Sequence, residues 1–406
     1  MRIVLFSSSF QGGGITSYAK EFIAFFSQNN DCHIIIGDDS SSPIREDNVT
    51  VHYYESSNLG ILNAKNVLHL INAVVRPDVV VGSNSALLSL IAPYIDDNIR
   101  VILVSHSLKY FEADMAARPH RFIDGIVALS EYNKKYLVDR FHINDHEKIS
   151  VIYNFVHDRI DAERIRNNKK GNDEIIIVNP GGAHPSKNPA LIVSVIRGLC
   201  KTDLPFKFYW LGSTHILQSE KFFFSRYHDV SQLLPDDKRV VLTGKISRDE
   251  AEEIIARCNV FFFPSIREGC SVSLLEAMRI GAISIVSNDD NANKEIIKDG
   301  INGFVVPRDE PERYIEILEK VISSHSLFDS FYDNSYGTFV SLLSKHVWEN
   351  KMKHLIEGNR NHHRRKSFSK PDYVLRRLSF KFSLLVSKFR IILEENIKTI
   401  IQLNKL

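Results

Sequence analysis

Short apolar runs alternate with helix-patterned stretches along most of this chain, and the series occurs twice. Arg2–Phe6 is apolar, a polar glycine-rich stretch follows, and Tyr18, Phe22, Phe25 and Phe26 then keep helical spacing within Ile15–Ser27. His33–Ile36, Val79–Val81, Val101–Val104, Gly125–Ala128 and Ser150–Ile152 continue the strand series, with helical stretches between them. Uninterrupted apolar runs of this length suit strands buried on both faces, and strands separated by helices pair in parallel. Polarity and charge rise over Arg159–Glu174, the candidate linker. A second series then runs through Ile175–Val178, a helix near Pro189–Cys200, Lys207–Leu211, Val240–Leu242, a helix at Arg248–Arg257, Val260–Phe263 and Ile283–Val286. The expected fold class is α/β, with two tandem Rossmann-like, doubly wound domains facing a central cleft. Ligands of such sheets bind at the carboxyl ends of the strands. A periplasmic binding protein shares that architecture, but the N-terminal MRIVLFSSSF is too short and too polar for an export signal.

Bulk properties narrow the function classes. The 406 residues are long enough for two domains with full cores. A net charge of +2 argues against a nucleic-acid binder. Four scattered cysteines, Cys32, Cys200, Cys258 and Cys270, lack metal spacing and suit a reducing cytosol. No stretch of about 18 uninterrupted apolar residues exists, so no spanning helix is expected. There is no Asp-x-Asp triplet and no zinc-spaced cluster, so no metal is expected; His362-His363 sits in a polar stretch and reads as solvated.

The segment Pro264–Gly281, PSIREGCSVSLLEAMRIG, carries the sharpest chemical signal. It follows the apolar run Asn259–Phe263, turns at Gly269-Cys270-Ser271 and enters a short helix read as Leu274–Ile280. Strand, glycine turn and helix together aim backbone N–H groups and a positive helix end at a phosphate. Glu268 and Glu276, with seven residues between them, could hold hydroxyls on either side of that phosphate. The plain alternatives are a solvated loop acid at Glu268 and a capping box between Ser273 and Glu276.

This segment resembles the Glu-(seven residues)-Glu signature of family-4, group 1 retaining glycosyltransferases of GT-B fold. The resemblance covers roughly Met1–Gly358 and implies a nucleotide-diphosphate sugar, UDP- or GDP-linked, as donor, with no required cofactor. It assigns Glu268 to donor-sugar hydroxyls and Glu276 to the ribose, with Gly269, Cys270, Ser271 and Val272 at the diphosphate. It also places Gly13 and Gly14, after the first strand, near the donor phosphates and the acceptor. In NPGGAHPSKNP, Lys187 matches the family's lysine, while Gly182 stands where the family has an arginine. His184 and Arg267 are the cations nearby in sequence. His106, after Val101–Val104, matches a histidine that touches the donor sugar, with Ser107 where an acid is common. Asp124–Ser130 resembles the family's strand ending in Ser. Asn154, in SVIYNFV, matches a turn asparagine, with Phe155 in place of Gly. Lys294–Phe304 resembles the segment that closes the donor pocket, with Asp290–Asn293 in place of a Gly-Gly pair and Glu295 as a site acid or a helix cap.

The boundaries expected are 1–165 for an acceptor-side domain, 166–340 for a nucleotide-sugar domain, 341–358 for a helix crossing back to the first domain, and 359–406 for a helical tail. The resemblance implies sugar transfer to an acceptor hydroxyl, on a growing or lipid-linked surface glycan of lipopolysaccharide or capsule type. A non-catalytic partner subunit of this fold and a sugar-nucleotide epimerase are the alternatives. In the tail, Leu375, Leu378, Phe382, Leu385, Phe389 and Ile392 form a heptad-like stripe flanked by Arg376, Arg377, Lys381, Lys388 and Arg390. Such a basic amphipathic helix suits an anionic membrane surface, a coiled-coil partner or packing on the protein itself. The expected location is cytoplasmic, with contact at the inner face of the membrane.

Overall fold

The computed structural model describes residues 1–7, 14–37, 48–83, 85–106, 108, 110–156, 174–215, 229–289, 291–324, 326–358 and 367–391. Gly13, Ser107, Asp290, His362, His363 and nearly all of the linker candidate lie outside the described residues. The chain divides into two compact units, Met1–Asn154 with Trp348–Lys388, and Phe155–Val347 with Phe389–Leu406.

The first unit holds seven strands: β1 (Arg2–Ser7), β2 (Asp31–Gly37), β3 (Val49–Tyr54), β4 (Val79–Ser83), β5 (Arg100–Ser105), β6 (Gly125–Ala128) and β7 (Ile149–Val151). They form one sheet in the order β3-β2-β1-β4-β5-β6-β7, and every pairing is parallel. β4, β5 and β6 are buried at every residue, as strands covered on both faces must be. β3 was not legible as a strand because it is the half-exposed edge, where apolar content is not required. The helices α1 (Gly14–Phe26), α2 (Ile61–His69), α3 (Ala86–Ile91), α4 (Tyr110–Ala117) and α5 (Glu131–Phe141) connect the strands. Ser130, two residues past β6, caps α5 by accepting from Asn133 N at 2.9 Å, which gives this Ser a structural task.

The second unit repeats the plan with β8 (Ile175–Pro180), β9 (Phe206–Leu211), β10 (Val240–Gly244), β11 (Val260–Phe263), β12 (Ile283–Ser287) and β13 (Gly303–Val306), in the parallel order β10-β9-β8-β11-β12-β13. Its helices are α6 (Pro189–Leu199), α7 (Arg248–Ala256), α8 (Val272–Arg279), α9 (Ala292–Ile296), α10 (Pro311–Ser323) and α11 (Ser326–Thr338). Ser247 and Glu250 close a full capping box at the start of α7. The core is strongly aromatic, with Phe206, Phe208, Trp210, Phe262 and Tyr314 all buried.

Two later helices return to the first unit. In α12 (Lys345–Glu357), Trp348, Met352 and Ile356 are buried, and Trp348 packs edge-on against Tyr18 of α1 at 5.5 Å. Buried Arg100 closes the end of α12, donating to Ile356 O at 2.5 Å and Leu355 O at 3.0 Å, a cation on a helix C-terminus. The last described helix is α13 (Lys370–Ile391).

Candidate functional site

In the second unit the strand order reverses between β8 and β11, so the loops leaving their carboxyl ends diverge and open a crevice. Lys187 and Glu268 come from those two loops. After β8 the chain makes a turn at Gly181-Gly182, a short 3-10 segment Pro185–Lys187, and a left-handed residue at Asn188 with φ 59°. Asn tolerates that conformation better than most residues, and Pro189 at the first helical position then starts α6. Lys187 Nζ reaches across to Glu268 Oε1 at 2.5 Å and lies over the Phe263 ring at 4.5 Å. The cation is thus held between a carboxylate and an aromatic face at the crevice floor.

The Glu268 loop is itself fastened. Buried Ser265 shares its hydroxyl between Glu268 Oε1 at 2.7 Å and Ser186 O at 3.0 Å, and Ile266 N donates to Ser186 O at 2.8 Å. Asn291 Nδ2 and Ser287 Oγ donate to Ser265 O at 3.0 and 2.8 Å. The Asn291 Oδ1 accepts from Asn293 N at 2.9 Å and so caps α9, which carries Glu295. Ser265 and Asn291 were missed from the sequence, because a serine and an asparagine in loops give no chemical signature.

Glu276 sits deeper. It is 4% exposed on α8, and Arg248 at the start of α7 donates Nη2 to its Oε1. The capping-box alternative is not what forms: Ser271 occupies the N-cap, Val272 begins the helix, and Glu276 lies in its second turn. Burial pushes the Glu276 carboxyl up to about 7, against the pull of Arg248. Arg248, whose Nε also reaches Glu252 Oε1 at 2.7 Å, is a third residue that sequence reading passed over. The turn residues Gly269, Cys270 and Ser271 are buried ahead of α8, and Val272 is half-buried at its first position.

The remaining sequence candidates fall in the first unit. Gly14 begins α1, and Asn154 follows β7. His106 follows β5, with Nε2 2.8 Å from Ser83 Oγ at the end of β4 and its ring edge-on to Tyr18 at 4.9 Å. Desolvation pushes its imidazole down to about 4, so it is neutral at physiological pH and offers one donor and one acceptor. Among the described residues no group of three or more His, Cys, Asp or Glu could hold a metal ion.

Two family models match nearly end to end, "Glycosyltransferase Family 4" over residues 12–159 and "Glycosyl transferases group 1" over residues 161–338. The chain belongs to the group 1 glycosyltransferases of family 4. An Escherichia coli UDP-Gal:alpha-D-GlcNAc-diphosphoundecaprenol alpha-1,3-galactosyltransferase is 25% identical over 232 residues, 54% of this chain and 55% of that one. Bacillus subtilis (strain 168) EpsD is 26% identical over 164 residues. The chain therefore spans 55% and 40% of the lengths of these two curated relatives. Among solved structures, Anabaena Alr3699/HepE in complex with UDP has a TM-score of 0.68 at 15% identity, covering 87% of this chain and 99% of that one. The lipopolysaccharide outer core galactosyltransferase WaaB has a TM-score of 0.63 at 17% identity, covering 88% and 99%. These structures share the GT-B fold.

Against the family pattern, Gly182 has a structural cause. Its φ is +64°, and a Cβ there would meet Ser213 O at 2.7 Å. The Gly181–Ala183 turn is stitched to Leu211 O and Ser213 O by three backbone N–H groups, so this loop has no room for the family's arginine. His184 does not replace it, since its Nδ1 accepts from Ser186 N at 3.1 Å within its own turn.

Proposed function

We propose that this protein is a glycosyltransferase that takes a sugar from a nucleotide diphosphate and joins it to an acceptor hydroxyl with retention of configuration. The observation that carries the reading is the Lys187–Glu268 pair at the switch point, in the loops ahead of the helix that bears the buried carboxylate of Glu276. Lys187 and the N-terminal end of α8 are the groups that would receive the leaving diphosphate as its charge develops. Glu268, already ionically held, would orient sugar hydroxyls, and Glu276 would accept from the ribose. His106, kept neutral, is assigned to a sugar hydroxyl.

No side chain here identifies itself as a covalent nucleophile, so departure and attack on one face are favoured. The bond from the anomeric carbon to the diphosphate oxygen breaks, and the acceptor oxygen bonds to that carbon. The acceptor proton passes to the departing diphosphate. The UDP in the HepE complex favours a uridine donor, and the lipid diphosphate named for the E. coli relative favours a lipid-linked glycan acceptor. On this reading residues 1–165 serve the acceptor and 166–340 the donor. The protein would work at the cytoplasmic face of the membrane, in contact with it through the tail of residues 371–406.

The test is a thermal-shift screen against UDP, GDP, ADP and their sugars. Ligand at 100-fold over its dissociation constant stabilises by about 2.7 kcal/mol, or about 5–10 °C for a domain of this size. One base should give that shift and Glu276→Ala should erase it. A shift that survives Glu276→Ala overturns the ribose assignment, and no shift with any base favours the non-catalytic partner subunit.

A further inference from the structure

Four residues of the tail's apolar stripe face away from the protein. One side of α13 is bolted to the first unit: Tyr94 Oη donates to Asp372 Oδ2 at 2.6 Å, Tyr373 Oη to Leu59 O at 3.0 Å, and Ser383 Oγ to Asp114 Oδ2 at 2.7 Å. Phe380 is buried on the same side, near the Arg118 guanidinium. The opposite side presents Leu375, Leu378, Phe382 and Leu385, which are 66%, 58%, 68% and 66% exposed. Packing of the stripe on the chain's own core is thereby excluded for these four positions. A continuous row of large exposed side chains on a fixed helix marks an interaction surface.

Charge decides the occupant. From Tyr373 to Leu393 the sequence has five basic residues and no acidic one. Arg377, Lys381 and Lys388 recur at spacings of four and seven, so they run along one flank of the stripe. In a self-paired coiled coil with the stripe at the a and d positions, Lys381 and Lys388 fall at g while Ser379 and Val386 fall at e. No interhelical ion pair can form in that register, and an antiparallel pairing would set lysine against lysine. An apolar stripe with cations along its flank instead matches a bilayer surface carrying anionic headgroups.

We propose that α13 seats this protein on an anionic lipid surface, with Leu375, Leu378, Phe382 and Leu385 entering the acyl boundary and Arg377 and Lys381 meeting the headgroups. The proposal deepens the membrane contact of the preceding reading and rests on no part of the donor chemistry. Its test is co-flotation of the full chain with vesicles of phosphatidylcholine alone or mixed with phosphatidylglycerol, with UDP affinity measured on the same preparations. Binding is expected to the mixed vesicles and to weaken as salt is raised. Arg377→Gln with Lys381→Gln should weaken it about 25-fold, at about fivefold for each cation lost. Leu378→Gln with Phe382→Gln should weaken it at least about tenfold. Neither pair should change UDP affinity, because α13 is fixed by its other face. Failure of the parent to float with the mixed vesicles, or equal flotation of parent and variants, overturns the proposal. So does sedimentation showing a dimer that Leu378→Gln with Phe382→Gln splits, which would give the stripe to a second copy. Vesicle binding without UDP binding would instead count against the donor reading alone.

Discussion

Glu276 should destabilise the protein it serves, and replacing it should reveal by how much. Its carboxyl is 4% exposed and is pushed from an ordinary 4.5 up to about 7 by burial, even with Arg248 beside it. Between those values the folded protein holds a proton that the unfolded chain has released, so stability falls as pH rises through the window. At 1.36 kcal/mol per pH unit the loss is about 3 kcal/mol, complete above pH 7. Glu276→Gln keeps the shape and hydrogen-bonding reach of the protonated acid and never charges. Arg248 would retain Glu252 at 2.7 Å, and its side chain is 49% exposed, so it can turn to water at small cost. Thermal melts of parent and variant from pH 5 to pH 8.5 read the effect directly. The variant should gain about 6–12 °C in Tm at pH 8, and most of that gain should vanish by pH 5. It should also lose nucleotide affinity, the exchange of stability for function expected of a binding residue. Melting curves that differ by the same amount at every pH would refute the reasoning, because only a titrating Glu276 makes the difference depend on pH.

Two further substitutions address the loops around the crevice. Lys187→Met keeps the aliphatic stem but removes the cation from Glu268 and, on the proposed reading, from the leaving diphosphate; kcat should then fall by about 100- to 1000-fold. A fall confined to KM would show that Lys187 binds the donor without aiding departure. Gly182→Arg restores the family's residue but not its function: the left-handed φ of +64° and the Ser213 carbonyl at 2.7 Å should cost about 1–3 kcal/mol, seen as a lower midpoint in urea. An unchanged midpoint with raised activity would show that the loop can open to receive the side chain.

The fold was legible because hydrophobic periodicity is local. β4 and β5 are buried on both faces and therefore read as unbroken apolar runs, whereas the edge strand β3 needs no such run and passed unnoticed. The Glu268, Lys187 and Glu276 positions were readable from motif spacing, since each occupies a short segment whose residues are consecutive in sequence. Their partners were not. Arg248 stands 28 residues before Glu276, at the start of another helix, and looks like any charged residue after a serine cap. Ser265 and Asn291 fasten the Glu268 loop through bonds to the backbone carbonyls of Ser186 and Ser265, which leave no mark on the sequence.

By itself the sequence determined two parallel-sheet units, the segments that carry the candidate site, and an amphipathic tail, because strand burial, turn chemistry and helical stripes depend on neighbours a few residues away. Tertiary structure alone decided that β8 and β11 lie side by side with their loops diverging, which brings Lys187 onto Glu268 across 81 positions of chain. It also decided which face of α13 is spent on the protein. Tyr373, Phe380 and Ser383 find partners in the first unit, so the larger apolar stripe is the one left to the outside. A helical pattern fixes which residues share a face, and only the shape and hydrogen-bonding groups of the surface beneath it choose which face is buried.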